Sequence, residues 1–340
     1  GWVTDTVGLV GLNPAEGSPF ADNGAIPDGN NVAFIQSPGS LSTLMSGLTI
    51  GTTYKVSLRA NARTAQTPFL RVLVDDYFDH KEILAVAVQA VTGLNPYWHV
   101  GCEFTATAEE QVLILLNDAA GDTALLVDDI SVAPTSGKWK VTQWNSDADS
   151  GLDGNFPYTH AYNFGSAASP MINGVAFTGV AGPGPSVAGK FTTSLFRNVF
   201  NNDTDALITG NSKTLANDFV YAGNVSATTY EGITLLGLTP GEEYVLTVYT
   251  VAFDPPGPTI RWATWSFGDD YLTINQDQFG NNNGMTVNYT YTAGPDGTAT
   301  VKIAPLQPAN MSIHIYGFSN RQAVSPYYAP IIVASHRANG

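Results

Sequence analysis

The stretch SGLTIGTTYKVSLRA at residues 46–60 has a counterpart, LGLTPGEEYVLTVYT, at residues 236–250. Gly, Leu, Thr, Gly and Tyr occupy matching positions in the two stretches, and the matched tyrosines are Tyr54 and Tyr244. GLTxG is typical of a turn, and the residues after it alternate between apolar and polar, as a half-buried antiparallel strand does. The repeat therefore predicts that the chain contains two β domains of similar construction.

The alternation also indicates which side chains face a core. In the first copy we expect Tyr54 and Leu58 to point inward, and YWHVGCEFTAT predicts the same for Trp98 and Cys102. Cys102 is therefore interpreted as a small buried hydrophobe rather than a reactive thiol. EILAVAVQAV also alternates and is predicted to be a strand, whereas SKTLANDF at 212–219 favours a short helix.

Strands recur at short intervals between Gly, Asn and Pro turns, which indicates β-sandwiches, and 340 residues exceed what one core usually serves. We predict an all-β fold of two tandem jelly-roll-type β-sandwich domains with a C-terminal extension strand. The predicted boundaries are 1–137 for a carbohydrate-binding-module-like sandwich, 138–323 for a second sandwich, and 324–340 for an extension strand or linker.

The charge balance narrows the classes of partner. The chain has 14 Lys and Arg against 29 Asp and Glu, a net charge of −15, which would repel a phosphate backbone and excludes nucleic acid as a partner. No apolar run reaches the ~18 residues that a membrane span needs. One cysteine, few lysines and abundant Thr, Asn and Tyr are typical of a secreted bacterial protein, so we expect an extracellular or cell-surface location.

Several segments resemble known modules. DGNNVAFIQ, GSLSTLMSGLTIGTTYKVSLRANAR and LLVDDISV are similar to carbohydrate-binding-module-like jelly rolls of secreted bacterial proteins, over about residues 8–134. INGVAF, GLTPGEEY and IHIYGFSN resemble a β-sandwich module found in exported proteins of Verrucomicrobia-type bacteria. The first resemblance implies a structural calcium ion held by an acidic residue of the first strand and by an aspartate that matches Asp128 or Asp129. No strand that would carry the first ligand precedes Trp2, so the first family's opening strand is expected to be absent.

A second calcium hypothesis comes from DADSGLDG at 147–154. Alternate carboxylates in a Gly-containing loop, here Asp147, Asp149 and Asp153, are the ligands that a hard cation prefers. The alternative is an ordinary solvated turn. Calcium is therefore a possible structural cofactor, and no other cofactor is predicted.

The sequence contains no linked set of catalytic residues. GPSVAGKF at 184–191 departs from a phosphate-binding loop at Phe191, and no GxSxG motif is present. Neighbouring aspartates on a strand point to opposite faces, so no Asp-Asp pair alone forms the two facing carboxylates of a glycosidase. We predict that the protein is not an enzyme, although a carboxylate pair assembled across strands stays open.

Sugar binding by a sandwich uses aromatic faces that stack on the pyranose ring and carboxylates or amides that bind its hydroxyls. Aromatic residues next to aspartates are therefore the predicted glycan-binding residues, with core packing as the alternative for each: Asp75, Asp76, Tyr77, Phe78, Tyr97, Trp265, Phe267, Asp269 and Asp270.

The segment VSPYYAPIIVASHRANG at 324–340 follows the second module and is long enough for a further strand. A surplus strand at one end and a missing strand at the other are what strand addition between subunits requires. Head-to-tail contacts of this kind give filaments when they do not close into a ring. The alternatives are that the tail folds back onto its own second domain or is a linker to further domains. The predicted assembly residues are Tyr327, Tyr328, Pro330, Ile331, Ile332, Val333 and Ser335.

Three interpretations follow from the sequence. The first is a non-catalytic extracellular structural subunit that assembles with copies of itself, through the tail, into a filament or surface layer. The second is a carbohydrate-binding protein that adheres to or targets a polysaccharide or cell-surface glycan. The third is a glycan-active enzyme. The sequence favours the first, because this interpretation alone accounts for both unusual ends of the chain.

Overall fold

The computed structural model describes residues 1–4, 8–15, 17–18, 20, 23–76, 79–91, 97–222, 230–253, 261–306 and 312–324. Within these residues nearly all regular structure is β, in 25 strands and one short helix. No helix in this part of the chain is long and apolar enough to cross a bilayer.

The first ten strands form two antiparallel sheets of five strands each, with the orders β1-β4-β9-β6-β7 (the β1 sheet) and β2-β3-β10-β5-β8 (the β2 sheet). Their bounds are β1 Val3–Thr4, β2 Val10–Pro14, β3 Asn31–Gln36, β4 Gly39–Ser46, β5 Thr53–Ala62, β6 Phe69–Asp76, β7 Asp79–Ala87, β8 Trp98–Thr105, β9 Glu110–Asn117 and β10 Ala124–Pro134.

The two sheets face each other across one apolar core. Val72 and Leu113 of the β1 sheet share a buried cluster with Val56 and Val100 of the β2 sheet. The buried positions on β5 and β8 alternate as the sequence predicts, and Cys102 is 3% exposed within this core. Burial raises the pKa of the Cys102 thiol, which is therefore inert as the sequence analysis expects.

The remaining strands form the second sandwich, in which a six-stranded sheet, β11-β23-β20-β25-β12-β15, faces a five-stranded sheet, β16-β19-β24-β21-β22. Two small hairpins, β13-β14 and β17-β18, lie beside them. The bounds are β11 Trp139–Trp144, β12 Tyr158–Gly165, β13 Met171–Ile172, β14 Val175–Ala176, β15 Thr178–Ala181, β16 Phe191–Ser194, β17 Asn198–Asn201, α1 Ser212–Leu215, β18 Asp218–Tyr221, β19 Glu231–Leu235, β20 Glu243–Val251, β21 Trp262–Phe267, β22 Asp270–Asn275, β23 Gly284–Thr292, β24 Ala299–Pro305 and β25 Gly317–Gln322.

The second core also joins both of its sheets, because Val248 and Phe318 of the larger sheet share a cluster with Ile233 and Val301 of the smaller one. The predicted all-β fold with two tandem sandwiches is thus confirmed. The expected strand at EILAVAVQAV is present over residues 82–87 as part of β7, whereas the helix expected over 212–219 is one turn long and is followed by β18. The extension strand and all seven predicted assembly residues lie outside the described residues.

The two sandwiches contact each other directly, through the outer face of β5 and β8 and the face of β21 and β22. The Gly101 amide donates a hydrogen bond to Thr273 Oγ1 at 3.0 Å, and Thr264 Oγ1 donates one to the His99 carbonyl oxygen at 2.5 Å. A Cβ at Gly101 would lie 3.0 Å from Tyr271, so glycine allows the two sheets to approach this closely.

A charged contact lies at the same interface. The ammonium of Lys55 lies 2.7 Å from Asp270 Oδ1 and 4.5 Å from the centre of the Tyr271 ring. Both charged side chains are partly buried, so water screens this pair less than a surface pair. The tandem arrangement therefore rests on specific contacts and not only on the connecting chain.

Candidate functional site

A cavity of about 440 Å³ opens at one edge of the first sandwich, where β1 and β2 end their respective sheets. This volume lies within the range of small-molecule binding sites. We call it the Trp2 cleft and define it by its lining residues: Trp2, Thr4, Val10, Gly11, Leu12, Asp28, Asn31, Ala33, Leu41, Val127, Asp128, Asp129 and Ile130.

The pairing of β1 and β2 explains why apolar side chains face the cleft. Thr4 pairs with Leu41, whose side chain points into the core, so Thr4 faces inward and Trp2 lines the cleft with it. Leu12 pairs with the inward-facing Ala33 on the other sheet. Leu12 is nevertheless 71% exposed and Trp2 is 42% exposed, because the two sheets are not closed against each other at this edge.

The polar wall of the cleft comes from a bulge in β10. The register between β10 and β5 shifts between Asp128 and Ser131, and Asp129 has a left-handed backbone with φ of 48°. A bulge re-aims side chains, and here Asp128, Asp129 and Ile130 all line the cleft in succession. The amide of Asp28 donates a hydrogen bond to Asp128 Oδ2 at 2.9 Å, which connects the loop before β3 to this wall.

The cleft therefore combines an exposed indole, an aliphatic floor of Leu41 and Val127, and polar groups on one wall. Three carboxylates and the Asn31 amide contribute hydrogen-bond acceptors, and the amide adds donors. None of the described residues that line the cleft is a lysine, arginine or histidine. An arrangement of this kind suits a ligand that has an apolar face and several hydroxyl groups.

The aromatic residues that the sequence analysis favoured for stacking lie elsewhere. Tyr97 is 1% exposed and packs with Val32 and Leu126, and Trp265 is 1% exposed in the second core. Core packing, which the sequence analysis gave as the alternative for each candidate, therefore describes Tyr97 and Trp265, and neither ring is exposed to a sugar. Phe267 is half-buried, and its ring centre lies 4.6 Å from that of Tyr289, so it too packs against the core.

The aspartates predicted with those aromatics are spread over separate places. Asp270 binds Lys55 and accepts a hydrogen bond from the Tyr289 hydroxyl at 3.2 Å, so it belongs to the interface between the sandwiches. Asp269 is exposed in the turn before β22. Asp75, on β6, pairs with Nδ1 of His80 at 2.6 Å. Tyr77, Phe78 and the side chain of Asp76 lie outside the described residues.

The loop predicted to hold calcium uses its carboxylates in another way. Asp147 accepts hydrogen bonds from the amides of Asn211 and Ser212, at 3.1 and 2.7 Å. Asp149 accepts one from the Ser146 hydroxyl, and Asp153 accepts one from the Asn155 amide. Each of the three carboxylates therefore accepts a hydrogen bond from a backbone or hydroxyl donor, as in the ordinary turn that the sequence analysis gave as the alternative, and calcium at this loop stays a prediction.

The other predicted calcium ligands, Asp128 and Asp129, line the Trp2 cleft. The parts of the chain that the structure describes contain no group of three or more His, Cys, Asp or Glu side chains arranged to hold a metal ion. Calcium at Asp128 or Asp129 stays a prediction. The sequence analysis singled out these two aspartates only as calcium ligands, and it did not predict the other polar and exposed residues of the cleft: Trp2, Leu12, Asp28 and Asn31.

No protein-family model and no curated protein matches this chain. The CBM61 module TmCBM61, solved in complex with β-1,4-galactotriose, is 17% identical; the match covers 39% of this chain and 88% of that chain, with a TM-score of 0.28.

Two further structures match over nearly the whole chain. The ANXUR2 extracellular domain from Arabidopsis thaliana is 8% identical over 94% of this chain and 89% of that chain, with a TM-score of 0.40. The CBM22-1–CBM22-2 tandem domain of Xyn10C from Paenibacillus barcinonensis is 11% identical over 95% and 93%, with a TM-score of 0.29. Carbohydrate-binding modules are thus among the structures whose fold this chain resembles.

Proposed function

We propose that this protein is a non-catalytic carbohydrate-binding protein whose binding site is the Trp2 cleft, and that it acts at a cell surface or in the extracellular medium. The observation that carries the proposal is Trp2 itself, which is 42% exposed at the mouth of a cleft whose wall holds Asp28, Asn31, Asp128 and Asp129. A large aromatic side chain left exposed beside convergent polar groups is what a binding site requires and a core does not.

The chemistry of a pyranose ring fits this arrangement. The C–H groups of one ring face are apolar and slightly positive, so they stack on the negative face of an indole. The hydroxyl groups at the ring edge donate hydrogen bonds, and carboxylates are the strongest acceptors that a protein offers them. Trp2 supplies the first feature, and the wall formed by Asp128 and Asp129 supplies the second.

The decisive experiment is retention of the full chain on immobilised neutral polysaccharides, followed by calorimetry with oligosaccharides of the polymer retained. β-1,4-Galactan is included because its trisaccharide is the ligand of the CBM61 structure. We expect Trp2→Ala to weaken binding by about tenfold or more, since one stacked base or ring on an aromatic is worth about 1–3 kcal/mol. Release of reducing sugars would instead show catalysis and contradict the non-catalytic part of the proposal.

Tyr230→Ala is the matched control for that experiment. Tyr230 is a second exposed aromatic residue, at 39%, and it precedes β19 in the other sandwich. Equal loss of binding in the two variants would contradict the assignment of the site to the Trp2 cleft. Absence of retention on every polysaccharide would contradict the function.

A second candidate function is the strand addition predicted from the sequence, and one observation favours it. Leu12 lies on β2, which ends its sheet, and its inward-facing side chain is 71% exposed. An added strand would bury such a side chain. A synthetic peptide of residues 325–340 tests this candidate. Strand addition would be favoured over glycan binding if the peptide competed with the glycan for the protein and if the full chain polymerised through the same edge.

A further inference from the structure

The charged side chains that the structure places along the Trp2 cleft are acidic. Among the residues that the structure describes, its lining includes three carboxylates, on Asp28, Asp128 and Asp129, and no cationic side chain. A cation borders this wall, because Arg59 Nε lies 4.0 Å from Asp129 Oδ2. Arg59 is already engaged, since its Nη1 donates a hydrogen bond to the Tyr97 carbonyl oxygen at 3.1 Å. The cleft thus keeps a net negative charge, on a chain whose net charge is −15.

From this geometry, and resting on the proposed function, we infer that the Trp2 cleft selects uncharged polysaccharides and rejects those that carry uronic acid or sulfate groups. A sugar stacked on Trp2 places its ring substituents within the same cleft as the three aspartates. A carboxylate or sulfate on that ring would lie among like charges, and Arg59, which borders this wall, is already paired with Asp129. The hydroxyl groups of an uncharged sugar meet the same carboxylates as hydrogen-bond acceptors.

The size of the discrimination follows from Coulomb's law. Two like charges about 6 Å apart, in a partly solvated site with an effective dielectric constant of about 40, repel each other enough to change affinity by about tenfold. Salt screens such repulsion, because the Debye length falls from about 30 Å at 0.01 M to about 3 Å at 1 M ionic strength. The discrimination should therefore be largest at low salt and should shrink as salt is added, which preference based on shape alone would not do.

The cleft offers substitutions that change charge with little change in shape. Asn tolerates a left-handed backbone better than most residues, so Asp129→Asn fits the φ of 48° at that position. Asp128→Asn keeps a side-chain oxygen that can accept the hydrogen bond from the Asp28 amide. The control is Asp122→Asn, which removes the same charge at an exposed position that does not line the cleft.

The test uses the neutral polysaccharide retained in the screen above and the same polymer after oxidation of its C6 hydroxyls to carboxylates. Affinity of the full chain for oligosaccharides of both is measured at low and at high salt. We expect the oxidised form to bind about tenfold more weakly at low salt, and the gap to narrow at high salt. The Asp128→Asn/Asp129→Asn double variant should lose most of the gap, and Asp122→Asn should keep it.

The outcomes separate the inference from the function on which it rests. Equal affinity for the two forms, or an unchanged gap in the double variant, would overturn the charge selection while the binding function stands. Tighter binding of the oxidised form would overturn it as well. If no neutral polysaccharide is retained, the proposed function fails and the inference falls with it.

Discussion

The amide N–H of Thr49 donates a hydrogen bond to the phenol oxygen of Tyr54 at 2.9 Å. In the second sandwich the amide of Thr239 donates to the phenol oxygen of Tyr244 at 3.1 Å. The glycine that precedes each turn has a positive φ, 76° at Gly47 and 71° in its counterpart. The sequence repeat therefore encodes one local structure twice: a turn held to the strand that follows it by a buried tyrosine.

We predict that Tyr54→Phe and Tyr244→Phe each lower the free energy of unfolding by about 1 kcal/mol, because each leaves one backbone amide without its partner and keeps the ring. Denaturant titration of each variant measures this change. Tyr230→Phe, at an exposed tyrosine, is the control and should be neutral. A neutral result for both buried tyrosines would show that the shared hydrogen bond does not stabilise the turn.

These two turns show how much of the fold the sequence predicts. Glycine at the positive-φ positions, threonine at the donor position and tyrosine at the acceptor position are all visible in the two stretches, and so is the alternation after them. The alternation also gives the correct core face for Val56 and Cys102, which lie on strands with one apolar and one polar face.

The interface between the sandwiches gives a second prediction. Replacing Lys55, whose side chain is 15% exposed, leaves the partly buried Asp270 without its cation. We expect Lys55→Met to destabilise the chain by about 2 kcal/mol, since a charged hydrogen bond at a partly buried site is lost. Calorimetry should also show the two sandwiches unfolding in separate transitions.

Lys81→Met is the control for this experiment, because Lys81 is exposed on β7. It removes the same charge from the same sandwich. Equal effects of the two substitutions, or a single unchanged transition in Lys55→Met, would mean that the contact between Lys55 and Asp270 does not couple the domains.

A third prediction concerns Glu231, which is fully buried and accepts a hydrogen bond from the Ala222 amide at 2.9 Å. Burial raises its pKa to about 8, against the opposing effects of backbone hydrogen bonds and of Arg261. The folded protein therefore keeps the Glu231 proton at pH values where the unfolded chain has lost it. This contribution to stability is fully present below pH 4.5 and is lost as the pH rises through 8.

His314 changes the stability of the fold with pH in the direction opposite to Glu231, over the part of this range below pH 6.5. It is fully buried, and burial, with a smaller effect of Arg261, holds its pKa well below 6.5. Its contribution is therefore present above pH 6.5 and is lost as the pH falls. Between pH 6.5 and 8, His314 no longer opposes the pH dependence that comes from Glu231. The unfolding free energy should therefore fall by up to about 1.4 kcal/mol for each pH unit as the pH rises.

Glu231→Gln tests this assignment, because glutamine keeps the shape and the acceptor oxygen but does not titrate. Denaturant titrations at several pH values should show a falling stability from pH 6.5 to 8 in the wild type and a flatter profile in the variant. Parallel profiles would contradict a buried proton on Glu231.

The site was harder to predict than the fold, and Trp265 shows why. Alternation correctly groups Trp265 with Ala263 and Phe267 on one face of β21, but it does not say which face is the core, since the other face carries Thr264 against the first sandwich. Trp2 gave a weaker signal, because it stands before a two-residue strand with no alternation around it. Its exposure depends on the pairing of β1 with β4, a contact between residues far apart in the chain.

The central claim is that a glycan stacks on Trp2, and the most direct measurement is a titration of the ¹⁵N-labelled chain with the retained oligosaccharide, observed at the indole N–H resonances. The chain has six tryptophans, all within the described residues, and Trp2 is the one whose side chain is exposed. We predict that the Trp2 resonance, assigned by its absence in Trp2→Ala, shifts in a saturable way while the other five stay in place. A saturable shift at another indole with Trp2 unmoved, or no shift at any indole, would contradict the claim.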